Sequence, residues 1–155
     1  MPLVDKLDPA SMETLFQRLG GTSERLGHLQ RYSYSDIAVN PTIVRMVLGG
    51  PRIWFIVTEA DGPVGFINYG SFIPGQLNTF GMAVALDFAG RGHAKSALAE
   101  FVARHREFNI AELNGFCRAD NASMIHIMEA TGFRRSHDYR DPSDARTLKF
   151  NHPLR

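Results

Sequence analysis

The sequence has 155 residues, of which 44% are hydrophobic and 21% charged, the proportions of an ordinary globular protein. That length is enough for one domain with a substantial core and too short for two, so we expect residues 1–155 to form a single domain. The formal net charge is +1, from 17 Lys and Arg against 16 Asp and Glu. This balance argues against a nucleic-acid partner, because nucleic-acid binders normally carry a clear basic excess.

Cysteine and histidine usage excludes further classes of protein. The single cysteine, Cys117, has no partner for an internal disulfide, and the six histidines show no metal-binding spacing, so we expect no metal site. Residues 1–9 lack the apolar run of a signal peptide. No segment reaches the roughly 18 consecutive apolar residues that suggest a membrane span. The sequence therefore indicates a soluble, cytoplasmic protein with no membrane partner.

Two helix starts stand out in the first third of the chain. Asp8-Pro9 and Asn40-Pro41 each place a capping side chain before a proline at the first helical position, where the missing N–H is harmless. Apolar residues follow each pair at helical spacing, and a pair of glycines ends each helix. Residues 3–7 are predicted as a short strand, and residues 22–36 as a loop with a short helix.

The rest of the chain alternates strands and helices. Residues 53–57 are continuously apolar, as expected of a strand covered on both faces, and Asp61-Gly62 predicts a turn into a partner strand over 64–72. Further strands are predicted at 77–86, 111–118, 133–139 and 146–150, and helices at 92–106 and 121–131. On the first of these helices, Glu100 and Arg104 are expected to pair on the solvent side. The order predicts an α/β (α+β) fold, with one sheet and helices over it.

The most informative stretch is a glycine turn that joins the strand at 77–86 to the long helix. Gly90 and Gly92 let the backbone approach a ligand closely, and the helix N-terminus presents unpaired N–H groups with a partial positive charge. Arg91, His93 and Lys95 add basic side chains, so the turn suits a pyrophosphate. Two alternatives stay open: a turn that needs glycine only for its geometry, and a P-loop over residues 89–96, which lacks both obligatory glycines.

A second segment starts with the capping pair Asp120-Asn121 and ends at Gly132-Phe133, and on its own it indicates only a packed helix. Together the two segments resemble the GNAT superfamily of N-acetyltransferases, whose pattern runs strand, (R/Q)-x-x-G-x-(G/A), long helix, strand, N-x-x-(A/S)-x-x-x-Y-E-x-x-G-F. The likeness covers nearly the whole chain, and Gly92-His93-Ala94 is similar to the ribosomal-protein acetyltransferase branch. It implies a GNAT-like fold with a central, mostly antiparallel mixed sheet flanked by helices.

The resemblance implies an acetyl-CoA-dependent N-acetyltransferase, with acetyl-CoA as co-substrate and an amine of a small molecule or peptide as acceptor. The N–H groups of the glycine turn would hold the cofactor pyrophosphate, the strand edge at residues 82–84 would pair with pantetheine, and Asn121 would hydrogen-bond the pantetheine. The acetyl group would pass directly from the thioester to a neutral amine. The cofactor-binding residues that follow are Met82, Ala83, Val84, Gly90, Arg91, Gly92, His93, Ala94, Lys95, Asn121 and Met128.

Three positions depart from the superfamily's pattern. Ala89 stands where the phosphate motif begins with Arg or Gln, so Arg91 or Lys95 would have to replace that contact. Met128 stands where a tyrosine usually protonates the leaving thiolate, and Met124 stands where Ser or Ala is usual. These departures keep a second interpretation open, a non-catalytic acyl-CoA-binding or regulatory domain on the same fold.

The catalytic residues and the acceptor are less well defined. Rough topology selects three hydroxyl groups as candidate acids, those of Tyr69, Ser123 and Tyr139. Cys117 is a candidate acyl-enzyme nucleophile, although a lone cysteine in an apolar strand is more typical of a core. The acceptor pocket is expected between residues 22–36 and 139–145, where a carboxylate rim would suit a cationic amine if it is not merely solvated. Those segments contain Glu24, His28, Tyr32, Tyr34, Asp36, Asp141 and Asp144. The oligomeric state, including a homodimer, stays open.

Overall fold

A computed structural model describes residues 3–32, 38–70, 79–104, 112–140 and 146–153. Within these ranges the elements are, in chain order, β1 (Leu3–Val4), α1 (Pro9–Gly20), α2 (Ser23–Tyr32), α3 (Pro41–Leu48), β2 (Ile53–Thr58), β3 (Gly62–Tyr69), β4 (Thr79–Val84), α4 (His93–Ala103), β5 (Glu112–Arg118), α5 (Ala122–Ala130), β6 (Arg134–Arg135) and β7 (Thr147–Pro153). A 3₁₀ turn, Leu86–Phe88, links β4 to the glycine turn. The predicted ends of the strands at 72 and 77 and of the helix at 106 lie outside the described residues.

One sheet contains all seven described strands, in the order β1-β2-β3-β4-β5-β7-β6. Each neighbouring pair is antiparallel except β4 and β5, which run parallel in the centre. The expected mostly antiparallel mixed sheet flanked by helices is therefore confirmed. No described helix has the length and apolar character needed to cross a membrane. Within the same ranges, His, Cys, Asp and Glu side chains form no cluster of three that is suited to a metal ion.

The first and third helices begin where the sequence predicts. The carboxylate of Asp8 accepts a hydrogen bond from the N–H of Ser11 at 2.8 Å, and the side chain of Asn40 accepts one from the N–H of Ile43 at 3.0 Å. Each cap satisfies a donor that the helix itself leaves unpaired. The second helix differs from the prediction of a short helix in a loop, because α2 runs for 10 residues.

The sheet carries a separate hydrophobic core on each face. Helices α1 and α3 bury one core, which includes Leu15 and Val44, and helices α4 and α5 bury the other, which includes Leu98. The adjacent residues Phe55 and Ile56 of β2 belong to opposite cores, because successive side chains of a strand point to opposite faces. The prediction that residues 53–57 form a strand covered on both faces is thereby confirmed.

Two further predictions were wrong. The strand expected over residues 133–139 is reduced to β6, and beyond it the N–H of Tyr139 donates to the carbonyl of Ser136 at 3.3 Å in a turn. The pair of Glu100 and Arg104 does not lie on the solvent side. The Glu100 side chain is only 8% exposed, and its carboxylate accepts from the N–H of Leu3 at 3.2 Å while pairing with Arg104 at 3.5 Å. The pair therefore ties α4 to the first strand.

Candidate active site

The central strand β4 separates from β5 partway along its length. It pairs with β3 from Phe80 to Val84, whereas its described pairing with β5 ends at Phe80, opposite Gly115. Beyond that point the two parallel strands are no longer joined by the sheet's hydrogen bonds in the part of the chain that the structure describes. The last residues of β4 therefore present an open edge in the middle of the sheet.

The hydrogen bonds around β4 show which backbone groups face this edge. The N–H of Ala85 donates to the carbonyl of Val64 at 2.8 Å, so Ala85 bonds towards β3. Because the backbone groups of successive strand residues point to opposite sides, Met82 and Val84 direct their N–H and C=O groups towards the gap. The carbonyl of Val84 already accepts a hydrogen bond, from Nε2 of His28 at 3.2 Å.

A cavity of about 780 Å³ lies at this gap. Met82, Ala83 and Val84 line it, as predicted for the strand edge. Met82 and Val84 pack with the core under α4 and α5, and Ala83 packs with the core under α1 and α3. The cavity therefore reaches both faces of the sheet at the point where β4 and β5 separate, so that ligands from the two faces can meet there.

The glycine turn forms one end of the cavity. Gly90 and Gly92 adopt φ values of +77° and +82°, which side chains rarely tolerate, and apart from their chain neighbours no atom comes within 4 Å of a Cβ built on either. The first hydrogen bond of α4 joins the N–H of Ser96 to the carbonyl of Gly92 at 3.1 Å. The intervening N–H groups thus have no partner within the helix, and they belong to His93, Ala94 and Lys95. All three residues line the cavity, and this end of α4 suits an anion.

The side chain of His93 contains a buried polar atom without a partner among the described residues. It is half-buried, and its Nε2 atom is shielded from solvent without a hydrogen-bond partner in the described structure. A buried polar nitrogen without a partner is energetically unfavourable and calls for an explanation. His93 lines the cavity as a residue, but its shielded Nε2 atom does not face the open space.

Arg91 lies outside the cavity wall. Its guanidinium is 3.7 Å from the carboxylate of Asp61 and donates to the carbonyl of Asp87 at 3.2 Å. The same group lies 5.4 Å from the centre of the Phe88 ring. These contacts hold the side chain towards the turn between β2 and β3. Of Arg91 and Lys95, only Lys95 lines the described cavity, together with Ala89.

Asn121 fixes the start of α5 beside the gap. Its side-chain oxygen accepts a hydrogen bond from the N–H of Met124 at 3.1 Å, and the residue is only 8% exposed. Asn121 lines the cavity together with Ser123 and Met124 from the first turn of α5. The predicted pantetheine-binding asparagine and one candidate hydroxyl are therefore neighbours on the same wall.

Met128 lies in the core and not on the described cavity wall. Its side chain is fully buried, and its sulfur would be 2.6 Å from a Cβ built on Gly115. It shares the hydrophobic cluster of Phe80 and Phe133, whose ring centres are 5.4 Å apart. The position at which the superfamily usually has tyrosine thus faces packed side chains in this chain, and no described contact brings Met128 to the predicted cofactor.

Ser123 is the one candidate acid that the structure brings to the described wall of the cavity. It is exposed, so its hydroxyl is accessible to a bound molecule. Tyr69 instead packs against Phe101 of α4, with ring centres 5.7 Å apart. Tyr139 packs edge-on against Phe116 at 5.5 Å, and Phe116 itself lines the cavity. Tyr139 is not itself part of the described wall.

Cys117 lines the cavity from β5 and is 1% exposed. Burial raises the pKa of its thiol to about 11, because the thiolate would lose its hydration. The thiolate is the nucleophilic form of cysteine, and at neutral pH very little of it is present at this pKa. The structure therefore favours a small core residue over an acyl-enzyme nucleophile.

On the other face of the sheet, the described wall is largely aliphatic. Helix α2 contributes His28 and Leu29, which lie within the predicted acceptor segment 22–36. Helix α3 contributes Ile43 and Val47, which the sequence did not identify as site residues. Glu24 is not part of the described wall. The structure does not describe the side chains of residues 32–37 and 141–145, which include Tyr32, Tyr34, Asp36, Asp141 and Asp144.

Asn68 is a residue of the site that was not predicted from the sequence. It lines the cavity from β3, and its side-chain oxygen lies 2.8 Å from a Cβ built on Gly81 of β4. The side chain forms no hydrogen bond with any described residue, so its carboxamide is available to a ligand. The signal in the sequence is a single carboxamide two residues after Phe66, between the apolar residues Ile67 and Tyr69.

Residues 10–134 match the model of the acetyltransferase (GNAT) domain. The chain belongs to the GNAT acetyltransferase family. The GNAT resemblance drawn from the glycine turn and the Asn121 segment is thereby confirmed. No curated protein matches the sequence significantly.

Solved structures show that the GNAT fold is shared, at low sequence identity. A ribosomal-protein-alanine N-acetyltransferase from Brucella melitensis superposes with a TM-score of 0.71 at 17% identity, over 99% of both chains. A ribosomal L7/L12 α-N-protein acetyltransferase in complex with coenzyme A gives 0.72 at 14% identity, over 99% of this chain and 94% of the other. A phosphinothricin acetyltransferase from Sinorhizobium meliloti in complex with acetyl-CoA superposes with a TM-score of 0.69 at 14% identity, over 99% of this chain and 89% of the other.

Proposed function

We propose that this GNAT domain is an N-acetyltransferase that uses acetyl-CoA and transfers the acetyl group directly to an amine of a small molecule or peptide. The observation that carries the proposal is a juxtaposition. The open edge of β4 and the unpaired N–H groups at the start of α4 are walls of the same cavity. Membership in the family supports it, as do structural neighbours solved with coenzyme A or acetyl-CoA.

The residues of the cavity fit the chemical groups of this cofactor. The N–H groups of His93, Ala94 and Lys95 suit the pyrophosphate, because a helix N-terminus binds anions and Lys95 adds a charge. The outward-facing backbone groups of Met82 and Val84 suit the amides of pantetheine, which can add to the edge as an extra strand. Acetyl-CoA supplies an activated acetyl thioester when it is bound.

The chain's own residues have a limited role in proton transfer. The amine must be neutral to react, and Ser123 is the candidate hydroxyl on the described wall that would donate a proton to the departing sulfur. A thiol has an ordinary pKa near 8.5, so a thiolate leaves tolerably well without a strong acid. We therefore propose that binding and positioning provide most of the rate enhancement.

A non-catalytic acyl-CoA-binding domain is the second candidate function, and the environment of Met128 favours it. The position where the superfamily has its acid tyrosine is fully buried in the core, and the cavity wall carries Met124 instead of a hydroxyl three residues after Asn121. Both functions predict binding of CoA. Formation of an acetylated amine by the purified protein distinguishes them.

Replacing Lys95 with glutamate tests the cofactor site. An acidic residue in the first turn of a helix is compatible with its dipole, so the variant is expected to fold normally. It puts a negative charge beside the proposed pyrophosphate site, and we expect CoA affinity to fall at least tenfold in titration calorimetry, which corresponds to about 1.4 kcal/mol. Lys6→Glu is the matched control, because it makes the same charge change at an exposed position outside the described cavity wall.

The control variant should bind CoA like the parent, and both variants should bind a pantetheine fragment without the pyrophosphate equally well. Equal CoA affinity in Lys95→Glu and in the parent would refute the assignment of the glycine turn.

A further inference from the structure

We propose that the acceptor amine is carried by an aliphatic or aromatic group, which occupies the chamber between β3, α2 and α3. This inference rests on the proposed acetyl transfer and adds the substrate class. The chamber is the part of the cavity on the face of the sheet opposite α4 and α5.

The walls of the chamber are apolar side chains from α2, α3 and β3 and from the segment before α3. They are half-buried in the free protein, so each keeps apolar surface that a ligand can cover, and they are Leu29, Val39, Ile43, Val47 and Phe66. Burial of apolar surface is the main source of affinity in such a pocket. None of the described residues of the cavity wall is an aspartate or glutamate. The rim carboxylates that the sequence suggested include Asp36, Asp141 and Asp144, which lie outside the described residues. The apolar surface of the described wall favours an apolar group on the acceptor.

The polar groups of the chamber lie beside β4. Asn68 lies over Gly81, the first residue of β4 beyond its paired segment with β5, and has no hydrogen-bond partner among the described residues. Its carboxamide oxygen can accept an N–H of the amine and so orient the nitrogen lone pair towards the gap. The apolar wall and this single acceptor together describe an amine on a hydrophobic body.

The position of the chamber relative to the sheet indicates that the acceptor amine, and not a long acyl chain, occupies it. The glycine turn and Asn121 begin α4 and α5, on whose face the cofactor is proposed to enter. Ile43 and Val47 belong to α3, which packs on the opposite face through Val44 and Leu48. An amine that reaches the open edge of β4 from the opposite face therefore passes through the chamber. Longer acyl groups are the competing occupant, and the experiment below separates the two.

A series of unbranched primary amines, from ethylamine to hexylamine, tests the proposal with acetyl-CoA as donor. The kcat/KM value should rise about three- to fourfold for each methylene buried. Val47→Thr preserves the shape of the wall but adds a hydroxyl, so it should lower kcat/KM roughly fivefold for hexylamine and by a much smaller factor for ethylamine. Met46→Thr is the matched control on the same helix, because Met46 is 70% exposed, and it should match the parent for every amine.

Asn68→Leu provides an independent arm. Loss of one hydrogen bond should lower kcat/KM by about two- to tenfold, and by the same factor for every amine in the series. A flat profile across the amines, or a rise that follows the acyl chain from acetyl-CoA to hexanoyl-CoA instead, would overturn the proposal. Calorimetry with CoA on the same preparations separates the two levels: normal CoA binding with a flat amine profile refutes the substrate class alone, whereas absent CoA binding refutes the proposed function.

Discussion

Replacing Met128 with tyrosine restores the residue that the GNAT pattern has at this position, yet the structure predicts damage and no gain. The Met128 side chain is fully buried against Gly115 and next to Phe80 and Phe133. A larger ring in a packed core costs about 1–3 kcal/mol, and a buried hydroxyl without a partner about 1–3 kcal/mol more. Unfolding free energy should therefore fall by roughly 2–6 kcal/mol. For a chain of this size that lowers Tm by roughly 5–20 °C, and kcat should not rise.

Thermal unfolding followed by circular dichroism, together with steady-state acetyl transfer, checks this prediction. Met124→Tyr is the matched control, because Met124 is half-buried and lines the cavity. It should cost about 1 kcal/mol or less, since its ring can enter the cavity without displacing the core. An unchanged Tm with a higher kcat for Met128→Tyr would show that this position faces the cofactor, and it would refute the core placement.

Three further predictions concern single side chains. Arg91→Ala should leave CoA affinity within about twofold of the parent, because Arg91 contacts Asp61 and not the cavity. Lys95→Ala should lower CoA affinity roughly tenfold or more, because a charge-assisted hydrogen bond is lost. Calorimetry of both variants tests this prediction, and a larger loss of affinity in Arg91→Ala would contradict it. Cys117→Ala should keep kcat within severalfold, and mass spectrometry should find no acetyl group on Cys117 in the parent. Because burial raises the Cys117 pKa to about 11, the thiol stays neutral below that pH, so alkylation of the folded protein should accelerate only towards pH 11; rapid alkylation near pH 8.5 would contradict the burial. The kcat/KM value should rise with pH as the amine loses its proton and then plateau, without a descending limb below about pH 9. A descending limb that disappears in Ser123→Ala would show that Ser123 is the acid.

Local signals in the sequence were sufficient for the helix ends and for the cofactor turn. The caps at Asp8 and Asn40 depend on residues within three positions, and such contacts form wherever the helix forms. The positive φ angles of Gly90 and Gly92 are likewise compatible with residue type, because glycine adopts positive φ without strain. These parts of the fold and of the site were therefore predictable from short segments.

Side-chain direction was not predictable, because it depends on residues far apart in the chain. Arg91 is adjacent to the predicted phosphate site, yet Asp61, thirty residues earlier, turns it away. Met128 follows Asn121 by two helical turns, so the helical period suggests that both residues lie on the same face of the helix. In the structure, however, Met128 packs in the core beside Gly115. The apolar chamber was not predicted for the same reason, since nothing near Ile43 and Val47 in the sequence indicates that α3 lines the same cavity as β4.

The structure of the protein crystallised with acetyl-CoA tests the central claim most directly. The account predicts that the pyrophosphate contacts the N–H groups of His93, Ala94 and Lys95, and that the pantetheine amides pair with the backbone of Met82 and Val84. It also predicts that Arg91 keeps its contact with Asp61. A cofactor bound on another surface of the protein, or one that reaches the cavity without touching β4, would contradict it.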